Sequence, residues 1–531
     1  MYKKYIAGIS AVLMLAVLLF LNGFQEDKFT MFNPVSSVMS EEIWAEKTRV
    51  ERFEFRSLLC NGIQVPVDYI EKTFYVPLNM DSEEWENLEF TSGDSEYLLC
   101  FSEDFTQYDK KELIEKGEGI EFLVYNDREF STYHLIFTGI PLIDIATTGG
   151  LDGGWNIAGK AKFYDTNFSI QGITESDFNG HVRGNTSTIY PKKGYKINLT
   201  KQILTGAKVK NKLSLFGMRE DDDWILYALY NDETKLRAKL AVDLWDEFGS
   251  TEIAANSKYN TGMTYVELVV DESYYGLYAL MEPIDAKQLN LNAGDYLYKR
   301  EQAAELTEEG FEKVYAGESE ALGFELKSGD LTEETWLPMA ELAEVMNSSD
   351  EEFAQNICKI VDLDNTMRLW LYIQVITGVD QGSKNVFYVA RQNGDSYEFT
   401  FAPWDLDLTW GNTSANSEPY YTEFNKTRLK TVIRWQPGTR LMELNVSGSA
   451  EKMQELYQEL RETTLSDEAL KERMDELNHI LRDSGAYARE LIRWPESANA
   501  EDYSQVLEYA EERLDYLDTA LFDLETFYAE R

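Results

Sequence analysis

Residues 378–389 read GVDQGSKNVFYV, and residues 399–411, which follow a short polar turn, read FTFAPWDLDLTWG. Both runs are rich in β-branched and aromatic residues. The turn between them contains Asn393-Gly394, a strong signal for a two-residue hairpin loop. The pattern predicts two antiparallel strands whose open end carries the polar residues that flank the two runs.

The open end of this predicted hairpin carries acids and an amide. Asp380 stands five residues before Asn385, which begins the first strand, and Asp405 lies where the second strand ends. Phosphoryl transfer needs one acid to orient the attacking hydroxyl, and an amide with another acid to hold Mg²⁺ on the nucleotide phosphates. Each of these residues alone is also a common turn or strand-end residue. Their combination favours the phosphoryl-transfer interpretation.

The chain is strongly acidic and rich in core-forming residues. Its 531 residues are too many for one compact core, which predicts two or three domains. With 44% hydrophobic and 13% aromatic residues, the chain can fill those cores. A net charge of −44 argues against nucleic acid as a partner, because phosphate neutralisation needs a basic face, and it disfavours docking to anionic lipid. The acidity favours solubility and is compatible with a preference for basic protein substrates.

The cysteines and histidines exclude several kinds of site. The 3 cysteines lack CxxC spacing, which leaves no zinc or redox motif, and the 3 histidines form no cluster. A histidine-based metal site and a Ser-His-Asp triad are therefore not expected. Cys60 and Cys100 both follow Leu-Leu in strand-like segments, and they fit either a disulfide outside the cytoplasm or buried free thiols.

Residues 1–24 form a predicted targeting segment. Lys3 and Lys4 precede an uncharged apolar run to about Phe24, long enough to span a bilayer as a helix. The positive-inside rule puts the lysines in the cytoplasm and the remaining chain outside. Because no small-x-small cleavage site follows, a retained single-pass anchor in the cell membrane is favoured over a cleaved signal and secretion.

Hydrophobic periodicity predicts an α+β protein with β-rich segments before helical ones. Residues 25–135 carry short alternating runs, such as Phe53–Leu58 and Thr73–Val76, that predict a β-rich accessory region. Further strands are predicted at 161–164, 180–183, 195–199, 264–270 and 275–281. Helices are predicted from about residue 232, at 337–346, 353–361 and 366–377, and over 450–527 with a break near Trp494. An exposed loop is expected at 412–427.

Six sequence blocks follow one another along the second part of the chain: VRGNTS at 182–187, KKGYKI at 192–197, DWIL at 223–226, NDETKLR at 231–237, YGLY at 275–278 and PWDLD at 403–407. In this order, and most specifically through VRGNTS and PWDLD, the chain resembles the spore coat protein H (CotH) kinase family, an atypical branch of the protein-kinase-like fold. Thr186 stands where the family more often has serine. The resemblance covers about residues 140–520 and does not extend to the residues before about 135.

The resemblance implies a two-lobed kinase-like domain over residues 136–530, with a small lobe of about 136–282, a large lobe of about 283–530 and C-terminal helices. It also implies an enzyme that transfers the γ-phosphoryl group of ATP to serine or threonine of a protein, with Mg²⁺ or Mn²⁺. The alternative is a cell-surface or spore-coat structural protein that keeps the fold without catalysis, because ATP is scarce outside cells.

Residue roles also follow from the resemblance. Asp380 would be the catalytic base, and Asn385 and Asp405 would bind the metal. Asp407 would join them if the strand stays regular enough to put both acids on one face.

The implied nucleotide ligands have alternatives. Arg183 and Lys196 would hold the phosphates, although Lys196 could instead face solvent and Lys193 is a competing candidate. Arg237 would reach toward the nucleotide or form a structural ion pair, and Glu282 would link the lobes near the adenine. The four adjacent acids at 220–223 are predicted to be a solvated face rather than a metal site.

Overall fold

The computed structural model describes residues 47–524 apart from residues 81–87, 102–104, 106–107, 118, 152–153, 155, 185, 203–205, 249–260, 315–316, 415–421, 425 and 498–500. The chain has a mixed α/β structure and divides into two compact units. The first comprises residues 1–139, 164–174 and 269–274, and the second comprises residues 140–163, 175–268 and 275–531.

The predicted targeting segment, residues 1–24, lies outside the described residues. Within the part of the chain that the structure describes, no helix combines the length and the apolar character needed to cross a membrane.

The first unit consists mostly of short strands. Its elements are β1 (Thr48–Arg49), β2 (Leu58–Cys60), β3 (Ile63–Gln64), β4 (Val67–Asp68), β5 (Thr73–Pro77), β6 (Phe90–Ser92), β7 (Leu98–Phe101), α1 (Lys110–Lys116), β8 (Ile120–Tyr125), β9 (Glu129–Thr138) and α2 (Phe168–Gln171). One sheet has the order β4-β5-β9-β8-β7, with β1 on β9, and a second has the order β3-β2-β6.

The strand prediction for the first unit is right at Thr73–Val76 and wrong for most of Phe53–Leu58. The backbone N–H of Phe53 donates to the Tyr133 hydroxyl at 3.1 Å, and that hydroxyl donates to the Phe53 carbonyl at 3.2 Å. A side chain therefore satisfies the backbone groups that a neighbouring strand would otherwise pair. Cys60 and Cys100 are buried free thiols, which decides between the two alternatives for them.

A closed ring of strands opens the second unit. Its strands are β10 (Leu142–Thr147), β11 (Ile157–Tyr164), β12 (Thr174–Arg183), β13 (Gly194–Gln202), β14 (Lys208–Lys210), β17 (Asp223–Tyr227), β18 (Met263–Val270) and β19 (Ser273–Met281). They pair in the order β12-β11-β10-β18-β19-β17-β13-β14, and β12 also pairs with β13, so that seven strands form the ring. A separate ribbon joins β15 (Leu213–Ser214) and β16 (Glu220–Asp221), and helix α3 (Arg237–Phe248) follows the ring strand β17.

A five-stranded sheet and a set of helices complete the second unit. The sheet has the order β21 (Glu320–Ala321), β22 (Phe324–Ser328), β20 (Tyr296–Arg300), β23 (Val386–Asn393) and β24 (Ser396–Pro403). The helices are α4 (Glu308–Glu312), α5 (Leu337–Asn347), α6 (Asp350–Ile360), α7 (Leu363–Ile376), α8 (Gly438–Glu443), α9 (Ser449–Glu462), α10 (Asp467–Asp483), α11 (Ala486–Arg493) and α12 (Ser504–Ala520). Helix α7 has eleven buried residues and forms the centre of the helical core.

Part of the segment expected to be an exposed loop is instead a two-stranded ribbon of β25 (Asn412–Ser414) and β26 (Thr422–Phe424). Asn412 is 5% exposed. Its Nδ2 donates to the carbonyl oxygens of Asn231 at 3.1 Å and Asp407 at 3.0 Å, which ties the start of the ribbon into the interior.

The hairpin of β23 and β24 is present, with a loop one residue later than predicted. Asn393 pairs with Ser396, so the loop residues are Gly394 and Asp395 rather than Asn393 and Gly394. Gly394 has φ 68°, which places the glycine at the first central position of the turn, where positive φ is needed. At the open end, Val386 pairs with Pro403. This register puts Asn385 beside Trp404, at the hairpin end that also carries Asp405.

Helix α11 is fixed to the strand ring by two buried ion pairs. Lys192 Nζ lies 2.5 Å from Glu490 Oε1, and both side chains are 0% exposed. The other carboxylate oxygen of Glu490 accepts a hydrogen bond from the Leu277 backbone N–H at 2.8 Å. Arg489 binds both oxygens of Glu267 at 2.7 and 2.9 Å. Paired, hydrogen-bonded geometry of this kind offsets the desolvation cost of buried charges.

Glu490→Ala should destabilise the protein by about 3–5 kcal/mol, because Lys192 would remain buried without its counter-charge. Equilibrium unfolding in urea measures the loss. Replacing both partners with methionine should recover most of the stability, since no uncompensated charge then stays buried. The control is Glu309→Ala in the exposed Lys313–Glu309 pair, which should cost less than about 1 kcal/mol. Similar losses for Glu490→Ala and Glu309→Ala would contradict the assigned role of the buried pair.

Lys235 is a second buried lysine of this unit. It is 0% exposed, and its Nζ donates to Ser497 Oγ at 2.9 Å. Burial lowers the pKa of Lys235 to about 8, although Glu490 acts in the opposite direction. The unfolded lysine keeps its proton up to a pKa of about 10.4. Between these two values the unfolded state binds more protons than the folded state, so stability rises with pH.

The free energy of unfolding of the wild type, relative to Lys235→Met, should therefore increase between about pH 8 and pH 10, by at most about 1.4 kcal/mol per pH unit. Urea unfolding of both proteins at several pH values measures this difference. A difference that stays constant or falls over this range would contradict the lowered pKa of Lys235.

Candidate functional site

Asp380 is delivered by the end of the buried helix α7. The helix ends at Thr377, which has φ 53°, and the Gly378 N–H donates to the Ile373 carbonyl at 2.9 Å. A short 3-10 turn over Asp380–Gly382 follows. Asp380 Oδ2 then accepts a hydrogen bond from Asn385 Nδ2 at 3.2 Å. The predicted acid and amide are therefore in direct contact.

Asp405 lies across the open hairpin end from Asn385. The Trp404 N–H donates to the Asn385 carbonyl at 2.9 Å, which extends the strand pairing by one step. Gln381 Nε2 donates to the carbonyls of Trp404 at 2.8 Å and Asp405 at 3.1 Å. Asn385 and Asp405 have φ 55° and 57°, in the left-handed region that non-glycine residues rarely occupy. Such strain persists where the surroundings enforce it and is concentrated at functional sites.

Electrostatic coupling joins three carboxylates at this place. Burial raises the pKa of Asp380, and the charge of Asp405 raises it further, while Lys384 acts against both. Burial and then the charges of Asp405 and Asp380 raise the pKa of Asp407 to about 8, although the residue as a whole is only half-buried. The backbone thus brings Asp405 and Asp407 close enough to repel each other.

Asn231 is a site residue that the sequence reasoning did not single out. Its Nδ2 donates to Asp407 Oδ2, and its carbonyl accepts from Asn412, which also binds the Asp407 carbonyl. Asn231 and Asn412 thus position Asp407 from two directions. No local sequence pattern predicts this contact, because Asn231 and Asp407 are 176 positions apart in the chain.

Arg183 lies beside the acid cluster. Its guanidinium is 5.6 Å from the centre of the Trp404 ring, and its charge acts on Tyr227 together with the charges of Asp407 and Asp405. Lys196 pairs with His181 on β12 and with Ile225 on β17. Because side chains two residues apart on a strand share a face, Lys196 is on the same face as Arg183 and Tyr227. Lys193 is committed elsewhere, since its Nζ donates to the carbonyls of Thr188 and Tyr190.

A crevice opens beside Asp405. Its cavity volume is about 10 Å³, room for about one water molecule. Apart from Asp405 the lining is largely apolar and comes from α3, the strand ring and the end of the hairpin: Tyr227, Ala238, Val242, Met263, Met281, Trp404 and Leu406.

Two of the predicted ligands are engaged in structural contacts. Arg237 is 1% exposed and binds Asp232 Oδ1 at 2.5 Å, which matches the ion-pair alternative. Glu282 is 0% exposed and accepts hydrogen bonds from the backbone N–H groups of Arg219 at 2.8 Å and Gly262 at 2.9 Å. The structure does not bring these two side chains to the acid cluster.

The acidic run at 220–223 is not the solvated face that was expected. Asp221 and Asp222 are 0% and 2% exposed. Lys287 Nζ lies among Asp221, Asp222 and two further acids, Asp223 at 3.5 Å and Asp285 at 3.3 Å. Burial favours the neutral amine, but the hydrogen bond to Asp221 and the surrounding acids raise the pKa of Lys287. A lysine ammonium therefore neutralises this cluster from within.

The cluster at the hairpin end differs, since among the described residues its only ion pair with a lysine or arginine is that of Asp380 with Lys384. No residue that the structure describes donates a hydrogen bond to the Asp405 carboxylate. Carboxylate and amide oxygens are the ligands that Mg²⁺ and Mn²⁺ prefer. Asn385, Asp405 and Asp407 therefore have suitable chemistry for a divalent cation, and Asp380 lies beside them.

Asp405→Asn should weaken Mn²⁺ binding by at least about tenfold, because it removes one of the charges that attract the cation. Asparagine tolerates the left-handed backbone at this position, so the fold should be kept. Isothermal titration of the purified full-length protein measures the affinity. The control is Asp395→Asn at the closed end of the same hairpin, where the side chain is exposed. Equal Mn²⁺ affinities of the two variants would exclude Asp405 as a ligand.

Comparisons with known proteins agree with these observations. A family model described as CotH kinase protein matches residues 181–517. The inner spore coat protein H of Bacillus subtilis (strain 168) is 27% identical over 190 residues, which cover 35% of this chain and 49% of the relative. The chain therefore spans about half the length of the curated relative it matches.

Proposed function

The chain belongs to the CotH kinase family, and from this premise we propose that it transfers the γ-phosphoryl group of ATP to a serine or threonine hydroxyl of a protein substrate. The observation that carries the proposal is the meeting of Asp380, Asn385, Asp405 and Asp407 at the open end of one hairpin. An acid that can orient the hydroxyl, beside ligands for the metal, is what phosphoryl transfer requires.

Asp380 acts as the base in this proposal. The substrate hydroxyl oxygen attacks the γ-phosphorus, the bond from that phosphorus to the bridging oxygen breaks, and ADP leaves. Asp380 orients the hydroxyl and accepts its proton. A raised carboxyl pKa brings the group closer to the operating pH, which suits it for proton transfer. Its contact with Asn385 fixes the carboxylate relative to the ligand group.

Asn385, Asp405 and Asp407 would hold Mg²⁺ or Mn²⁺, which when bound supplies positive charge to the nucleotide phosphates. Asn231 and Asn412 keep Asp407 in place for this role. Arg183 and Lys196, on one face of the strand ring, would bind phosphate oxygens. Arg237 and Glu282 support the site indirectly, because both are buried and bind backbone: Arg237 Nε donates to the Trp410 carbonyl at 3.4 Å, and Glu282 accepts from the N–H groups of Arg219 and Gly262.

We also propose the two-lobed kinase-like arrangement, with the strand ring and α3 in the small lobe and the five-stranded sheet with the later helices in the large lobe. The apolar crevice between Met281 and Leu406 has room for about one water, so nucleotide binding requires it to widen. The net charge of −44 supports a basic protein substrate.

A second candidate function is a surface or coat protein without catalysis. The narrow crevice favours it, and so does the similarity to an inner spore coat protein. Because the relative is a spore coat protein, we propose a location at the cell or spore surface. The two lysines and the apolar run that follows them support residues 1–24 as the membrane anchor. Thermal unfolding with and without Mg²⁺ and ATP separates the two functions. If the protein binds the nucleotide, a ligand concentration of about 100 times the dissociation constant should add roughly 2.7 kcal/mol to the free energy of unfolding. A coat protein that does not bind nucleotide should show no increase.

Asp380→Asn should retain nucleotide binding and lose about 10²–10⁴-fold in phosphoryl transfer, because an amide cannot accept the hydroxyl proton. Transfer is measured with labelled ATP, Mg²⁺ or Mn²⁺ and a Ser/Thr-containing basic protein. Nucleotide binding is measured separately by thermal shift. The control is Asp395→Asn, which should match the wild type in both assays. A parallel loss of binding and transfer would make Asp380 a metal ligand or a structural residue.

A further inference from the structure

Among the residues that the structure describes, Lys384 is the lysine that forms an ion pair with the candidate base. Its Nζ lies 2.9 Å from Asp380 Oδ2, the same oxygen that accepts the hydrogen bond from Asn385. The side chains of Lys384 and Asp380 are 39% and 19% exposed. The ammonium group is therefore near the protein surface, where it can move into solvent if another cation replaces it.

The charges of the other acids in the cluster also act on the ammonium group of Lys384. Burial lowers its pKa, but the hydrogen bond to Asp380 and the charges of Asp380, Asp405 and Asp407 raise it above the ordinary value. Among the residues that the structure describes, no other lysine or arginine forms an ion pair with any of these three acids. Lys384 thus carries the compensation of a site that holds more negative than positive charge.

The surroundings of Lys384 differ from those of Lys287. Lys287 contacts four acids, of which two, Asp221 and Asp222, are almost fully buried, and Arg219 and Lys210 pair with these two as well. Lys384 pairs with only one acid and leaves the Asp405 carboxylate without a hydrogen-bond donor in the described part of the chain. The first cation is a structural component, whereas the second can be exchanged.

We infer that Lys384 is the resident cation of this site, bound to Asp380 in the metal-free protein and displaced when a divalent metal binds to Asn385, Asp405 and Asp407. The inference rests on the metal site of the proposed function. While Lys384 is paired with Asp380, that carboxylate oxygen is occupied and cannot take the proton of a substrate hydroxyl. Metal binding therefore also frees the base. The metal-free protein is inactive for two reasons: no cation is present for the nucleotide phosphates, and Lys384 occupies Asp380.

Mn²⁺ binding without nucleotide tests the exchange. In Lys384→Gln the competing positive charge is gone, so the full-length protein should bind Mn²⁺ at least about tenfold more tightly than the wild type. Lys384→Arg should stay close to the wild type. The control is Lys327→Gln, since Lys327 has a similar exposed fraction of 34% and also a 2.9 Å ion pair, with Glu325. It should not change the Mn²⁺ affinity.

A measurement on the unaltered protein covers the case in which Lys384→Gln fails to fold. Amine acylation followed by mass spectrometry reports how accessible each lysine is. Saturating Mn²⁺ should increase the labelling rate of Lys384 several-fold, because its Nζ leaves Asp380, and should leave the rate at Lys327 unchanged.

The outcomes separate the inference from the proposed function. If the wild type binds Mn²⁺ and Asp405→Asn does not, the metal site is present. Unchanged or weaker binding by Lys384→Gln, or a labelling rate of Lys384 that Mn²⁺ leaves unaltered, would then overturn the inference alone. If neither the wild type nor Lys384→Gln binds Mn²⁺, the metal site and the inference fail together.

Discussion

The pairing of Val386 with Pro403 is the contact on which the candidate site depends. A slip of one residue in this register would turn every side chain of β24 to the opposite face of the sheet. It would also separate Asn385 from Trp404, whose N–H continues the ladder for one more step. Residues 386–390 and 399–403 are buried on both faces of the sheet, so a slip would place side chains of the wrong size in closely packed positions. Packing of the sheet therefore fixes the geometry of the acids.

Helix α11 connects that packing to the strand ring. Its Arg489 and Glu490 form buried ion pairs with Glu267 and Lys192, residues that precede them by more than 200 positions. Lys192 comes just before β13, the strand that carries Lys196. The C-terminal helices thus restrain the strands that would bind phosphate. Buried pairs of this kind contribute little net stability but penalise alternative arrangements strongly, since either charge left alone is costly.

In two acid clusters of the described residues, the negative charge is compensated in different ways. Around Lys287, Asp221 and Asp222 are almost fully buried and the lysine contacts four acids, so a lysine of the protein supplies the counter-charge. At the hairpin end the backbone of Asn385 and Asp405 is strained, the pKa of Asp407 is raised, and Asp405 finds no hydrogen-bond donor among the described residues. A protein keeps such unfavourable features where they serve a purpose, and a divalent cation would relieve the repulsion.

The sequence by itself determined the local elements, because their signals are short-range. Alternation predicted the strands at 264–270 and 275–281, apolar periodicity predicted α7, and the acid and amide around the hairpin identified Asp380, Asn385 and Asp405. It placed the loop one residue early, since Asn393-Gly394 and Gly394-Asp395 are both acceptable turns until the strands are aligned.

Only the tertiary structure decided which charges are buried. Composition made the run at 220–223 look solvated, and it left Arg237 open between ligand and ion pair. The role of Asn231 at Asp407 was likewise invisible. Burial and long-range contact depend on segments hundreds of residues apart meeting in the fold, and no local pattern records those meetings.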